Sequence, residues 1–182
     1  MLSELQRRFD TIEQQRAALQ NGVRDLSDAQ LTWTPSGTAW SVQQIVEHLV
    51  LSDETVGHAR AADAAVETEA LMFRVLPRAW RRALILRALN RNAVLPLPSP
   101  AVEPRGKVPL SELLTRWDAA RGEMRRVLET LQGGHERRYS HPVLGPLTAV
   151  QMLDLGQAHM AYHTRQMEAL RRGPSFPRAT EG

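Results

Sequence analysis

Residues 34–50 read TPSGTAWSVQQIVEHLV, and the fold is decided at Ser41. A serine that can accept from the amide of Gln44, while that glutamine reaches back to the serine amide, forms a capping box, and Trp40 and Ile45 fit the hydrophobic staple that goes with it. A helix therefore starts near Val42, and its pattern lets it continue past Ala65. The device recurs in LTAVQM at residues 147–152, with Thr148 and Gln151 as the box and Leu147 and Met152 as the staple. The helix it opens should end at Gly173-Pro174.

Two more helices complete the pattern. One begins at Ser3, carries Leu5, Phe9, Ile12 and Leu19 at helical spacing, and stops at Asn21 and Gly22, where a loop follows. The other is capped by Ser111, runs through Leu114, Trp117 and Leu128, and closes at Gly133-Gly134. Strand signals are weak throughout. Four long amphipathic helices around one core read as an all-α four-helix bundle with a long crossover between its second and third helices. A chain of 182 residues suits a single domain over residues 1–182, able to bury roughly 70% of the surface its unfolded form exposes.

The crossover, about residues 73–107, holds Arg74, Arg78, Arg81, Arg82, Arg87, Arg91, Arg105 and Lys107 against one acid, Glu103. Its first half reads as an amphipathic helix with Leu76, Trp80 and Leu84 on one face, and LPLPSPAVEP as extended chain because of its prolines. The plainest reading is a connection that packs on the bundle and exposes its arginines. Two sharper ones are a lid that attracts an anionic substrate and, after it, a helix that lies on a membrane surface.

Composition narrows the function. Hydrophobic residues make up 42% and charged residues 24%, near globular averages. Cysteine is absent, which excludes disulfides, a thiolate metal site and a cysteine nucleophile, so any thiol used must come from outside. MLSELQRRFDTIEQQ alternates charged and apolar residues, unlike a signal peptide, and no stretch supplies the roughly 18 apolar residues of a membrane span, so a cytoplasmic protein without a membrane partner is expected. Net charge is only +3, with 22 arginines against the single Lys107. Scattered arginines, nine aromatic residues and the lack of a recognition motif argue against a nucleic-acid partner.

The chemistry points to histidine. His159 and His163 in HMAYHTRQ stand four apart, a spacing for which random placement of six histidines would give about 0.2 pairs. On a helix they share a face and can share a metal at about 2.0 to 2.1 Å per nitrogen. Leu155, Gly156 and Gln166 lie on that face, with Met160 and Met167 beside it, so interior histidines satisfied by hydrogen bonds are the competing reading. His48 shares a face with Ser41, Ile45, Ser52 and Ala59, two turns into its helix. If the second and fourth helices run antiparallel, it lies at the depth of His163, and a three-histidine site with an open coordination position becomes geometrically accessible. His58 points towards the exposed face and His135 follows a Gly-Gly break, while His141, in SHPVLGPLT, orders the loop before the fourth helix or reaches the site mouth. HMAYH has Met160 where a zincin protease needs glutamate, and no nucleophile elbow surrounds Ser140.

Trp40-Ser41, Glu47-His48-Leu49, HPVLGPLT at residues 141–148 and HMAYHTRQM at residues 159–167 occur in an order that resembles the DinB/YfiT-like superfamily of bacterial metal-dependent proteins. The resemblance spans nearly the whole chain. It implies a four-helix bundle with a long crossover, often a homodimer, that holds a divalent metal through one histidine of the second helix and two of the fourth, here His48, His159 and His163. Zinc or nickel is the expected ion, with iron, copper or manganese as further candidates. Some thiol-using relatives have glutamate at the position of His159, so this chain looks closer to the three-histidine branch than to the maleylpyruvate isomerase pattern.

Relatives with assigned chemistry use mycothiol, bacillithiol or glutathione, so the resemblance implies a thiol-dependent S-transferase of stress or detoxification metabolism, with a small-molecule substrate and a low-molecular-weight thiol as cosubstrate. A metal-dependent hydrolase would need a base, for which Glu47, Asp53 and Tyr162 are the candidates. A dimeric, non-catalytic, stress-associated metal-binding bundle is the third reading.

Overall fold

The structure is a computed structural model that describes residues 1–37, 39–58, 77–93, 99–135, 137–141 and 144–178. Its elements in chain order are α1 (Ser3–Arg24), α2 (Asp28–Thr32), α3 (Val42–His58), α4 (Arg78–Asn90), a 3₁₀ turn (Pro100–Val102), α5 (Leu110–Glu129), β1 (Arg137–His141), β2 (Gly145–Thr148) and α6 (Ala149–Arg171). The fold is all-α apart from one short hairpin. α1 packs on α6, α6 on α3, α3 on α5 and α5 on α1, so the four long helices enclose one core. Leu5, Phe9, Ile12, Ile45, Val46, Leu113, Trp117, Leu128 and Leu153 fill it. No helix among the described residues is long and apolar enough to cross a membrane.

Both capping boxes form. Gln44 N donates to Ser41 Oγ at 3.2 Å and Ser41 N to Gln44 Oε1 at 2.9 Å. Gln151 N donates to Thr148 Oγ1 at 3.2 Å and Thr148 N to Gln151 Oε1 at 3.1 Å. These boxes fix where α3 and α6 begin, and with them the depth of every side chain along both helices. α6 stops at Arg171, just before Gly173 and Pro174. The expected continuation of α3 past Ala65 falls outside the described residues.

Several boundaries differ from the sequence reading. α1 does not stop at Asn21 and Gly22 but runs to Arg24, because Val23 still has core to bury. The loop after it contains α2, opened by a third capping box between Ser27 and Gln30 and held from outside: Gln30 Nε2 donates to the Pro177 carbonyl at 3.0 Å, and Trp33 meets Phe176 edge-on at 5.5 Å. α5 is not capped by Ser111; Pro109 occupies the N-cap, placing Ser111 inside the first turn, and the helix ends at Glu129, short of Gly133-Gly134. The weak strand signals nonetheless yield a β1–β2 hairpin, antiparallel with His141 opposite Gly145, whose φ of +71° suits a residue without a Cβ.

The crossover also differs. α4 is helical as expected, but Trp80 and Leu84 are 66% and 47% exposed, while Arg81, Ile85 and Leu89 turn inward. Arg87, Arg91, Arg105 and Lys107 are exposed; Arg81 is buried. Arg165 of α6 secures the end of α4, donating to the Leu89 carbonyl and to Asn92 Oδ1, both at 2.7 Å. Within LPLPSPAVEP, residues 100–102 form the 3₁₀ turn, with Ser99 Oγ accepting from Ala101 N at 3.2 Å. The earlier prolines fall outside the described residues.

Candidate metal centre

α3 and α6 bring His48, His159 and His163 together in the interior. His48 lies two turns beyond the Ser41 cap, and His159 and His163 face it from successive turns of α6. His48 Nε2 is 3.1 Å from His159 Nε2, and His163 Nε2 is 3.0 Å from the same atom. One ligand atom from each residue fits within a 4.8 Å span. Two nitrogens bound to one ion at about 2.0 to 2.1 Å, with about 90 to 110° between them, would lie about 3 to 3.4 Å apart. The observed separations fall in that range.

The other ring nitrogens say which protonation state is present. His48 Nδ1 faces the Val102 carbonyl at 2.7 Å and must donate to it; His163 Nδ1 faces Gln166 Oε1 at 2.9 Å and donates likewise. In a neutral ring each Nε2 is then a bare acceptor. His159 Nε2 can carry at most one proton, so three Nε2 atoms converge with too few hydrogens to satisfy them. A cation resolves that deficit.

Burial keeps the rings neutral. Desolvation lowers the pKa of His48 against the opposing Val102 bond, and drives His163 down to about 3 with help from the nearby His48. His159 falls well below its usual value, first through burial and then through repulsion from His163, His48 and His141. Neutral imidazoles are the form that ligates. A three-imidazole set suits zinc, nickel, copper or iron.

Aromatic rings wall the cluster. Trp40 lies 4.9 Å from the His48 ring and 6.2 Å from the His163 ring, nearly parallel to the latter, and Tyr162 meets His163 edge-on at 4.8 Å. Trp40, just before the start of α3, thus flanks two of the three rings. His141 orders the hairpin by accepting from Leu144 N at 3.2 Å, and it also lies within electrostatic reach of His159. Burial lowers its pKa to about 4. His135 is exposed, and the side chain of His58 falls outside the described residues.

The candidate bases fare differently. Glu47 turns away from the histidines, and its Oε2 accepts the backbone N–H groups of Arg105 at 2.9 Å and Gly106 at 2.6 Å. Asp53 is half-buried against α5, where Trp117 Nε1 donates to it at 2.7 Å. Only Tyr162 adjoins the histidines, and burial raises its pKa. A cavity of about 590 Å³ lies beside Glu47, Leu51, Pro100 and Arg105, but none of the three histidines lines it.

Sequence reasoning did not find the groups that orient the rings. Gln166 had a signal, since it stands three residues after His163 on the same face. Val102 had none, because it acts through its carbonyl.

The family model described as the DinB superfamily matches residues 11–167. The chain is also 26% identical over 156 residues to the uncharacterized protein YuaE of Bacillus subtilis (strain 168), an alignment covering 83% of this chain and 89% of that one.

Proposed function

We propose that this chain, which belongs to the DinB superfamily, is a metal-dependent enzyme that joins a low-molecular-weight thiol to an electrophilic small molecule, with His48, His159 and His163 holding a divalent ion. One observation carries the reading: three Nε2 atoms converge, those of His48 and His163 on buried residues, while the opposite nitrogens of these two are already committed as donors. When bound, a divalent ion supplies charge that lowers the pKa of a thiol or water at its open position. The residues of the chain do the rest. Val102 and Gln166 hold two rings in register, while Trp40 and Tyr162 give the site apolar walls that limit water.

In the reaction proposed, the S–H bond of the incoming thiol breaks and its sulfur bonds to an electrophilic carbon of the substrate, while the bond from that carbon to a leaving group breaks; the leaving group departs with the electron pair, and the thiol proton goes to it or to solvent. The chain has no cysteine to compete for the electrophile. Hydrolysis is less well supported because Glu47 and Asp53 are engaged elsewhere. Zinc or nickel as the ion, a homodimer, a cytoplasmic setting and a role in stress or detoxification metabolism belong to the same reading.

Elemental analysis of gently purified wild type beside His48→Ala, His159→Ala and His163→Ala tests it. The expected result is about one ion per chain, lost in all three variants, with thiol consumption on a panel of electrophiles that disappears with the metal. Metal without thiol turnover would favour the non-catalytic bundle; no metal even after soaking, with the variants folded, would end the metal reading.

A further inference from the structure

α3 grips one stretch of the crossover with three side chains. Gln43 Nε2 donates to the Val108 carbonyl at 2.6 Å, Glu47 Oε2 accepts from Arg105 N and Gly106 N, and His48 Nδ1 donates to the Val102 carbonyl at 2.7 Å. Glu47 is only 4% exposed, and the partners its carboxylate takes at hydrogen-bond distance are successive backbone amides. Such bonds to an ionised acceptor are roughly twice as strong as neutral ones. Gly106 makes the grip feasible. Its φ is +68°, and a Cβ there would meet Gln44 Cγ at 3.1 Å.

The route from this grip to His48 is short. Between Arg105 and Val102 lie only Glu103, the C-cap of the 3₁₀ turn, and Pro104, a buried residue with a ring-fixed φ. On the other side the turn closes through Val102 N to the Ser99 carbonyl at 3.3 Å and Glu103 N to the Pro100 carbonyl at 3.2 Å. The Val102 carbonyl is thus aimed by the turn before it and by the Glu47 contact after it.

We propose that Glu47 is a positioning residue for the metal centre: by holding Arg105 and Gly106 it fixes the Val102 carbonyl, and through that carbonyl the ring of the neighbouring His48. This inference rests on the metal reading above. Glu47 touches neither the ion nor a substrate, and its effect is on how well the site is formed before an ion arrives. Groups that orient a ligating histidine from behind alter metal affinity by about 10- to 100-fold when removed. The crossover and the metal centre are then coupled through one carboxylate.

The test compares Glu47→Ala, Glu47→Gln and Gln43→Ala with wild type by two measurements. Hydrogen exchange of the metal-free proteins reads the grip at the Arg105 and Gly106 amides, and competition with a chromophoric chelator reads zinc and nickel affinity. Glu47→Ala should lose protection at both amides and bind the ion about 10- to 100-fold more weakly. Glu47→Gln, which keeps an acceptor oxygen without the charge, should recover part of both. Gln43→Ala, which releases only the far anchor at Val108, should bind metal within about threefold of wild type, separating positioning from general loosening. Glu47 variants that lose amide protection yet bind metal like wild type would overturn this proposal alone. A wild-type protein that binds neither ion would overturn the metal reading and this inference with it.

Discussion

Two polar clusters pack beside α3, and they are built on opposite principles. Asp53 belongs to an ionic network with α1 and α5: Arg121 Nε donates to Glu13 Oε1 at 2.6 Å, Arg121 Nη1 lies 3.7 Å from Asp53 Oδ1, and Arg16 bridges Glu13 and Asp118. The Arg121 guanidinium also stacks 4.4 Å from the Phe9 ring. Five residues earlier, His48 belongs to a cluster of neutral rings whose acceptors face each other. The ionic network pairs its charges internally and leaves one buried donor, Arg121 Nη2, without a partner. The histidine cluster asks for something from outside. A buried polar group that answers itself acts as structure, whereas one that leaves convergent lone pairs is a site.

The contrast breaks most sharply at Arg121. Replacing it with alanine takes the nearest cation from Asp53 and leaves Glu13 with Arg16 alone; breaking a fully buried pair from one side costs about 3 to 5 kcal/mol, an upper bound for these partly exposed acids. His159→Ala in metal-free protein removes a ring without leaving a charge behind and should cost distinctly less. Denaturant unfolding of both variants without metal measures the difference. Equal losses would mean that the histidines are as structural as the ion pairs.

The two clusters also differ in how far sequence reveals them. Both capping boxes, at Ser41 and Thr148, are local patterns, so the starts of α3 and α6 are legible, and with them the depths of His48, His159 and His163. The ionic network is not legible: Glu13, Asp53 and Arg121 are far apart in the chain and look like ordinary solvated charges until three helices pack. α2 and the hairpin are missed because five-, five- and four-residue elements have too little periodicity. α2 is further secured by the tail that reaches Gln30 and Trp33. Ser111 misleads because Pro109 already provides the helix entry, and Trp80 misleads because α4 buries the Arg81 side instead. The Val102 carbonyl has no side-chain signature at all.

Acid should separate the clusters next. The folded pKa of His163 is about 3, below its unfolded value near 6.5, so its contribution is fully present above pH 6.5 and is lost as pH falls towards 3. From pH 7 to pH 5 that loss is about 2 kcal/mol for one such histidine. Metal-free wild type should therefore show a steeper fall in melting temperature over this range than His163→Gln, which removes the titrating ring. Parallel curves would mean that the ring takes up its proton in the folded protein.

The smallest effect is expected at Asp53, where the sign runs the other way. Burial is the largest influence on this carboxyl and raises its pKa despite Arg121 and the Trp117 hydrogen bond, so ionisation is less favourable in the folded protein than in the unfolded chain. Stability tied to the protonated form is fully present below the unfolded value near 3.9 and is lost as pH rises through the folded one. Asp53→Asn keeps an oxygen to accept from Trp117 Nε1 and removes the buried charge, but it weakens the balance for Arg121, which retains Glu13. The two changes oppose each other, and at neutral pH the variant should unfold within about 1 kcal/mol of wild type, with its relative stability rising as pH increases. A loss as large as that of Arg121→Ala would mean that the Asp53–Arg121 attraction outweighs the desolvation of the acid. The network would then need each of its charges as strictly as the histidine cluster is expected to need its ion.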